Sequence, residues 1–590
     1  MRAMCGIAAG RPVGRRGLLA LSAFLVSVLV SPFSARADTN ALAIVNYTGG
    51  IAAFNGAGVN VGQIETAQPT NHVDLANQIT VFASAGTTSA TNHATEVASV
   101  IIGTGPLDRG AAPGANLYSF GAGSADANYL TAYWLLATQT VGTCKVINMS
   151  FGSAPVATTR TSAGGTNYTS YTQTFNPNGN DADSQTIDNV AATKGTIFVK
   201  SAGNNGLAGT NTVTDPGSAF NIIVVGAVSN TAPGATTSVA DFSSRGYLAN
   251  GRSAVDIVAP GADVSLAGIS TSVTFTATSV TVISNNVGAP TIYQAGSTFT
   301  YLSGAGPTQT PLSRINTNSG TSFAAPLVAG VTADLVQYGN TLPPVTAAAA
   351  TDPRTIKAVL LNSATKLAGW GQGAVAGGTA GLQGVLTGGV NGVTTVLQPL
   401  DPTQGAGLLN ANGAYLQLAA GKQIATIQQQ GPGSIIDETV PLTGWDFNTV
   451  KMALTNFYQL SSKAVGTLAV TLDWNRDIST VGGTNFVGGM ANMGLSLFTS
   501  VDNTYTKTSL VAQSISIVDN VEHLWFTNVP TAYYEFGVSY NQYASQGSPA
   551  PGNETYAVAW SFTPVPEPST LLLAGLGITA LWWQLKRRRT

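Results

Sequence analysis

Charged residues and cysteines are scarce in this chain of 590 residues. Only 9% of the residues are charged, against roughly 25% in a typical soluble protein, and this favours an exported protein over a cytosolic one. Of the two cysteines, Cys5 lies in an N-terminal export signal described next, so Cys144 alone would remain and no internal disulfide is expected. The formal net charge of −2 gives no basic footprint for nucleic acid.

The N-terminus has the composition of an export signal. Arginines precede an apolar stretch at residues 18–30, and residues 35–37 form a small-residue cleavage motif, Ala-x-Ala. We therefore predict a signal peptide over residues 1–37. The pair Arg15 and Arg16 also permits twin-arginine export, but paired arginines are common in such signals and general secretion is preferred.

The C-terminus combines a Pro-Glu-Pro motif at 566–568, an apolar stretch at 571–585 and a basic cluster at 586–589. This pattern resembles the PEP-CTERM sorting tail of some Gram-negative bacteria, and we assign it to residues 564–590. The apolar stretch is slightly short for a membrane span, and the basic cluster would stay on the cytoplasmic side. A plain C-terminal membrane anchor is the alternative interpretation.

The resemblance to a sorting tail implies an exosortase as a partner, transient membrane association, and a final location at the cell surface or outside the cell. Without both ends the net charge falls to about −10, so nucleic acid is not an expected partner.

Strand and helix patterns alternate along the first half of the chain. We predict an α/β fold with a mainly parallel central sheet, because alternating strands and helices give right-handed crossovers. The predicted strands are 59–65, 116–120, 145–150, 196–201 and 221–228, and the predicted helices are 93–103, 127–140 and 181–195. Reactive groups in such sheets gather at the carboxyl ends of the strands.

The pattern changes beyond residue 430, where short β-rich runs alternate with turn residues. We predict an antiparallel β-sandwich over residues 430–563 as an accessory domain. Two stretches interrupt the α/β part: a Thr-, Ser- and Val-rich insertion of β character at 265–313, and a Gly-rich loop region at 367–399.

Ser322 lies where small residues pass directly into an apolar helix, in NSGTSFAAPLVAG at 318–330. Free backbone N–H groups and the helix dipole favour negative charge at such a point. Ser322 is therefore either an ordinary N-cap or a nucleophile whose oxyanion is stabilised by its own backbone N–H.

A nucleophilic serine needs a base, and the chain has three histidines. His72 is predicted in a loop and His523 in the β-sandwich, which leaves His93 at the start of a helix. Asn204 follows a strand in KSAGNNG and offers a side-chain amide to an oxyanion. Taken alone, His93 is a polar residue at a helix start and Asn204 is a turn residue.

Together these segments resemble the subtilisin-like serine proteases, the subtilase family. The matching segments are GTSFAAP at 320–326, HATEVA at 93–98, AGN at 202–204, NMSFG at 148–152, FSSRG at 242–246, VAPG at 258–261 and GAGLLNANGAY at 405–415. They cover about residues 50–420 in the order of the family. The resemblance implies a subtilisin-like three-layer domain over residues 38–425.

The resemblance also implies roles for individual residues. Ser322 would be the nucleophile, His93 the base and Asn204 the oxyanion donor. The residues expected to bind the substrate are Ser150, Phe151, Gly152 and Gly203.

The acid is the weakest part of the pattern, because Glu65 stands where the family has Asp. A glutamate keeps the charge, can orient the imidazole and stabilise the imidazolium without being protonated, and differs only in reach. Asp74 is the rival acid, but it falls in the following His-x-Asp-Leu segment rather than at the end of a strand.

We expect an exported serine endopeptidase that recognises its polypeptide substrate mainly through the backbone. One alternative is a catalytically weak surface-binding protein, and another is a dedicated processing protease or transpeptidase of exported proteins. No cofactor is expected, and no metal ligand is assigned. The oxygen-rich segment at 178–183, NGNDAD, is either a structural calcium loop or a solvated turn.

Overall fold

The computed structural model describes residues 37–564, and the statements below concern those residues. The gaps within that range are 71, 76–78, 83–89, 106–108, 139–142, 153–155, 162–166, 173–177, 209–210, 230–236, 249, 269–272, 277–280, 284–290, 294–297, 302–313, 372–373, 376–392, 429–434, 437–438, 482–484, 506–507 and 545–551. The predicted signal peptide and sorting tail therefore lie, except for one residue each, outside the described residues.

A seven-stranded parallel sheet forms the centre of the first half of the molecule. Its order is β2-β3-β1-β4-β7-β8-β9, and its strands are β1 (Asn60–Glu65), β2 (Ile79–Phe82), β3 (Asn116–Gly121), β4 (Val146–Met149), β7 (Ile197–Ser201), β8 (Ile222–Ser229) and β9 (Ile257–Ala262). The hairpin β5 (Val156–Thr161) with β6 (Asn167–Thr172) follows β4. The central strands β4 and β7 are buried at every position, as expected for a sheet covered on both faces.

Eight α-helices are described. They are α1 (Ala37–Ile44), α2 (Asn92–Ile102), α3 (Asp126–Thr138), α4 (Ala182–Lys194), α5 (Thr321–Gly339), α6 (Pro344–Ala350), α7 (Pro353–Ser363) and α8 (Ala411–Ala419). Helix α5 crosses β4, β7, β8 and β9 and packs against α2, while α3 packs against α4. Within these described residues no helix has both the length and the apolar character that crossing a bilayer requires.

Local signals explain where the helices begin and end. Thr91 caps α2 by accepting a hydrogen bond from Ala94 N at 3.2 Å. Asp181 caps α4 by accepting one from Ser184 N at 2.7 Å, and α4 ends at Gly195, whose φ of 65° is the left-handed conformation that glycine adopts without strain. Each predicted strand and helix of the α/β part is present. The sequence patterns missed the helices α1, α6, α7 and α8, the edge strand β2, the hairpin β5–β6 and strand β9.

The rest of the described chain is rich in antiparallel strands, consistent with the predicted β-sandwich. Its strands are β18 (Ile427–Gln428), β19 (Ile435–Ile436), β20 (Thr443–Lys451), β21 (Thr455–Trp474), β22 (Asp477–Val481), β23 (Asn485–Ser500), β24 (Thr508–Ser514), β25 (Val521–Ala544) and β26 (Asn553–Pro564). A second core fills this region, with the rings of Tyr458, Phe536 and Trp560 4.8 to 5.5 Å apart between centroids.

One difference from the sequence pattern lies in β25. The runs at 523–529 and 533–540 appeared as two β segments separated by turn residues, whereas the structure has one continuous strand. The ladder to β21 shifts register where Ala464 faces Ala532 and Gly466 faces Val529. Pro530 therefore sits in a bulge, where a residue without an N–H donor is tolerated.

The two interrupting stretches also contain strands. Within the insertion β10 (Val264–Gly268) pairs with β15 (Arg314–Asn318), β11 (Val273–Thr276) with β14 (Thr298–Tyr301), and β12 (Thr281–Ile283) with β13 (Thr291–Tyr293). In the Gly-rich region β16 (Ala374–Val375) and β17 (Thr394–Gln398) join the C-terminal sheet.

The C-terminal strands are docked firmly on the α/β part, and both belong to one compact unit. Helix α7 packs on β21 and β26. Two guanidinium groups lie over the ring of Phe220, that of Arg252 at 3.8 Å and that of Arg476 at 4.8 Å from its centroid. Asn221 and Arg476 exchange two hydrogen bonds at 2.8 and 2.9 Å. The contact between the α/β part and the C-terminal strands therefore includes directional hydrogen bonds as well as packed side chains.

We predict that Arg476→Met destabilises the whole molecule. The Arg476 guanidinium lies 3.6 Å from Asp188, which is fully buried, and removing one partner of a buried pair costs about 3 to 5 kcal/mol. The free energy of unfolding in urea measures the loss. Lys451→Met, at an exposed position, is the control, and Asp188→Asn added to Arg476→Met should recover part of the loss. Equal stability of the Arg476 and Lys451 variants would contradict this account.

Candidate active site

Three neighbouring strands deliver polar residues to one edge of the sheet. Strand β1 ends at Glu65, β4 is followed by Ser150, and β7 is followed by the turn that holds Asn204. The registers place Ile64 beside Met149, and Met149 beside Lys200. The strands therefore end at the same level, as predicted for the carboxyl edge of a parallel sheet.

Glu65 reaches His93. Its Oε2 lies 3.1 Å from His93 Nδ1, and its side chain is 2% exposed against 41% for the imidazole. Gln63 Nε2, on the same strand, donates to Ala94 O at 2.9 Å and so fixes the start of α2 against β1. The extra methylene of glutamate is accommodated within this arrangement. Asp74 instead lies 3.5 Å from His72 Nδ1.

The contact with Glu65 changes the basicity of His93. Burial lowers the pKa of the imidazole, but the hydrogen bond and charge of Glu65, together with the charge of Glu96, more than offset this, so the pKa is raised above its usual 6.5. Because Glu65 contacts Nδ1, the proton of a neutral His93 resides on Nδ1 and leaves Nε2 as the basic nitrogen.

Ser322 is the second residue of α5, and its position depends on Pro326. A proline has no backbone N–H, so the carbonyl of Ser322 receives no hydrogen bond from the residue four positions later. That carbonyl accepts a hydrogen bond from Ser150 Oγ at 2.9 Å instead, and Ser322 Oγ donates to Ser150 O at 3.3 Å. The start of α5 is thereby attached to the end of β4.

Asn204 is oriented by Thr321. The backbone N–H and the hydroxyl of Thr321 both donate to Asn204 Oδ1 at 2.9 Å. Thr321 Oγ1 also accepts from Gly203 N at 3.0 Å, and Gly203 has a φ of 106° that favours glycine. Since the oxygen of the amide is taken by Thr321, the amide nitrogen is the end that remains for a ligand.

These residues line one cleft of about 330 Å³. Its walls contain all eight residues singled out in the sequence: Glu65, His93, Ser150, Phe151, Gly152, Gly203, Asn204 and Ser322. His72 and His523 contribute nothing to it. His523 lies instead in the C-terminal strands, with Nδ1 2.8 Å from Thr471 Oγ1.

Sequence reasoning missed a buried carboxylate next to this cleft. Glu96 is 1% exposed, and its two oxygens accept from Asn92 Nδ2 at 2.6 Å and from Asn318 Nδ2 at 3.1 Å. Asn318 stands four residues before Ser322, so Glu96 joins the helix of His93 to the loop that leads to Ser322. A glutamate on an otherwise buried helix face was the only signal in the sequence.

The side-chain oxygens of the oxygen-rich segment at 178–183 make contacts within the protein. Asp181 caps α4 and accepts from Ser218 Oγ at 3.2 Å, and Asn178 Oδ1 accepts from Asn180 N at 3.0 Å. Among the residues that the structure describes, no group of three or more His, Cys, Asp or Glu side chains is placed to hold a metal ion. The calcium loop and the solvated turn stay the two interpretations of this segment.

The fold and cleft define a parallel-sheet protein in which a serine at a helix start and a carboxylate-paired histidine line the same cleft. Residues 56–384, more than half of the chain, match the subtilase family of peptidases, and residues 564–589 match the PEP-CTERM protein-sorting motif. The chain therefore belongs to the subtilase family and has a subtilisin-like fold.

Parts of the chain are similar to individual known proteins. A subtilisin from Bacillus sp. (strain TA39) is 29% identical over 248 residues, which are 38% of this chain and 53% of the subtilisin. The chain thus spans about half the length of that curated relative. A self-cleaved protease domain of PatA is 19% identical, with a TM-score of 0.37 over 63% of this chain and 100% of the other. A cold adapted subtilisin-like serine proteinase is 20% identical, with a TM-score of 0.34 over 54% and 86%.

We predict that His93 titrates above the usual value of 6.5 and that its pKa falls in Glu65→Gln and, to a smaller extent, in Glu96→Gln. Both changes remove a negative charge that favours the imidazolium. The chain has only three histidines, so imidazole NMR resonances followed against pH resolve each one. Asp241→Asn, at an exposed carboxylate, should leave the titration unchanged. An unchanged pKa in Glu65→Gln would contradict the pairing.

Proposed function

We propose that this protein is an exported serine endopeptidase that hydrolyses peptide bonds through Ser322, His93 and Glu65. The observation that carries the proposal is the 3.1 Å contact between Glu65 and His93 in the cleft that also holds Ser322. In a subtilase-family chain, this contact supports the proposal because it puts the carboxylate of Glu65 within reach of the imidazole, at the position where an aspartate is usual.

The chemistry uses His93 first as base and then as acid. Rotation of the Ser322 hydroxyl away from Ser150 O brings it toward Nε2 of His93, which takes its proton as Oγ attacks the peptide carbonyl. His93 then gives the proton to the leaving amine, and water hydrolyses the resulting acyl-enzyme. Glu65 holds the imidazole in the required tautomer and stabilises the imidazolium.

The tetrahedral oxyanion would be bound by Asn204 Nδ2 and the backbone N–H of Ser322. Both donors are fixed before substrate arrives, because Thr321 holds Asn204 Oδ1 and α5 holds the N–H of Ser322 at its first turn. Such preorganised donors stabilise a transition state because they need no rearrangement during the reaction.

The substrate would lie extended along Ser150, Phe151 and Gly152 and add a strand to the edge of this segment. Main-chain hydrogen bonds would then supply much of the affinity. We also propose export: the PEP-CTERM motif implies a sorting machinery of the exosortase kind and a location at the surface of a Gram-negative bacterium or outside it.

A fluorophosphonate probe tests the proposal on purified protein. Wild type should be labelled, Ser322→Ala should not, and Glu65→Ala should be labelled about 10⁴-fold more slowly if Glu65 acts like the acid of known triads. Asn204→Ala should lower kcat on a denatured protein about 10²- to 10³-fold. Because His93 must be neutral, activity should fall as the pH drops through its raised pKa.

Other outcomes would support other functions. A folded wild type that the probe does not label would remove the enzyme interpretation and leave the surface-binding protein. Labelling without cleavage of any denatured protein would favour the processing protease or transpeptidase. Equal labelling of Glu65→Ala and wild type would exclude Glu65 as the acid.

A further inference from the structure

The carboxylate of Glu96 lies one helical turn after His93 and connects two elements of the cleft. Residues three positions apart on a helix are neighbours on its surface. Glu96 Oε1 accepts from Asn92 Nδ2 at 2.6 Å within α2, whereas Oε2 accepts from Asn318 Nδ2 at 3.1 Å, at the end of β15. The second bond is therefore a link between the helix of His93 and the segment that leads to Ser322.

Asn318 is held in the orientation that this link needs. Its Oδ1 accepts from the backbone N–H of Ser319 at 2.8 Å, which leaves Nδ2 as the end of the amide that donates to Glu96. The same segment is fixed to β9, because Gly320 N donates to Gly261 O at 2.7 Å. The link thus joins α2 to a segment that is itself anchored on the central sheet.

The ribbon formed by β10 and β15 has a second anchor on α2. Ala267 N, on β10, donates to Ser99 Oγ at 3.1 Å, and Ser99 Oγ donates to Glu96 O at 2.8 Å. Ser99 follows Glu96 by three residues, so both anchors lie on one face of the helix. The ribbon from which the insertion extends therefore contacts the helix of His93 at two points.

A carboxylate suits position 96 better than an amide would. Glu96 accepts from two side-chain amides, and the two oxygens of a carboxylate serve both, whereas glutamine would turn a donor toward one of them. Burying a charge is costly, and Glu96 is 1% exposed. The retention of a buried charge here indicates a role that a neutral residue does not fill.

The reach from His93 to Ser322 depends on how α2 lies against the start of α5. Ser322 Oγ donates to Ser150 O, so the proposed reaction needs an imidazole within reach once the hydroxyl rotates. Gln63 fixes the start of α2 to β1. The bond from Asn318 to Glu96 fixes the same helix on the side of Ser322.

We propose that Glu96 and Asn318 are positioning residues of the peptidase: their hydrogen bond holds His93 within reach of Ser322, and through it the β10–β15 ribbon affects the rate of catalysis. The insertion carried by this ribbon then acts on turnover at its root. This inference rests on the proposed peptidase function and deepens it.

The test uses full-length protein and the fluorophosphonate probe, with kinact and KI measured separately. Asn318→Ala and Glu96→Gln should lower kinact about tenfold to 10²-fold, as expected for a misplaced catalytic group, with KI unchanged. Asn318 is exposed, so its truncation leaves no cavity in the core. Asn92→Ala is the matched control, because it removes a bond to the same carboxylate within one helix, and its kinact should stay close to that of wild type. An equal loss in Asn92→Ala would contradict the role of the link.

A reversed pair tests the bond itself. Asn318→Asp alone sets two carboxylates against each other, and Glu96→Gln alone sets two amide donors against each other. In the double variant the introduced glutamine can donate to the introduced aspartate, so kinact should recover most of the loss of either single variant. A double variant as slow as the slower single variant would contradict the proposal.

The pH dependence separates position from charge. Burial lowers the pKa of His93, while Glu65 on β1 and Glu96 on its own helix raise it; toward α5 the imidazole meets the ring of Phe323, 5.7 Å away between centroids. His93 must be neutral to act as base, so Glu96→Gln should move the acidic limb of kinact/KI to lower pH. Asn318→Ala keeps both charges and should lower the rate without moving this limb; a shift as large as that of Glu96→Gln would contradict the assignment.

Ser99→Ala removes the second anchor of the ribbon without changing a charge. It should also lower kinact with KI unchanged, and a wild-type kinact would contradict the part assigned to the ribbon. Each variant is titrated to completion with the probe, so rates are per active site and partial misfolding does not imitate a slower reaction. Wild type that is not labelled would overturn the peptidase function and this inference with it. Labelled wild type with the same kinact as Asn318→Ala would overturn only the inference.

Discussion

The reciprocal contact between Ser150 and Ser322 is the constraint on which the rest of the cleft depends. It exists because Pro326 cannot donate to the carbonyl of Ser322, which leaves that carbonyl for Ser150 Oγ. The contact fastens the first turn of α5 to the end of β4, and Thr321 fastens the same turn to Asn204 in the turn after β7. A helix start, with its unpaired N–H groups and dipole, is thus held where negative charge would develop during acyl transfer.

Although the chain has few charged residues, several of them are buried inside the molecule. Glu65 and Glu96 are both almost completely buried, and both favour the charged form of His93. Glu96 also joins the helix of His93 to the segment before Ser322 through Asn318. Isolated buried charges are costly unless they are hydrogen-bonded or paired. Their concentration beside the cleft therefore indicates a functional arrangement more than a contribution to stability.

The C-terminal strands are connected to the cleft through a series of side-chain contacts. Arg476 donates to Gly179 O and to Asn180 Oδ1, directly before Asp181 at the start of α4. Ser218 Oγ lies within hydrogen-bond distance of both Asp181 and Asp215, and Asp215 follows Thr214. A line of contacts therefore runs from the C-terminal region to Thr214, which lines the cleft.

The fold class followed from the sequence because strand and helix periods are local properties. The meeting of Ser322, His93 and Asn204 at one cleft followed because the subtilase segments that hold them are short and specific. Edge strand β2 and the continuous β25 did not follow, since pairing with distant strands and a bulge at Pro530 override the local pattern. Whether Glu65 or Asp74 faces His93 is set by side-chain reach across two elements, and only the tertiary structure decided it. The same holds for Thr214, which lines the cleft beside Gly152 and Gly203, because the shape of a cleft depends on which backbone segments meet around it.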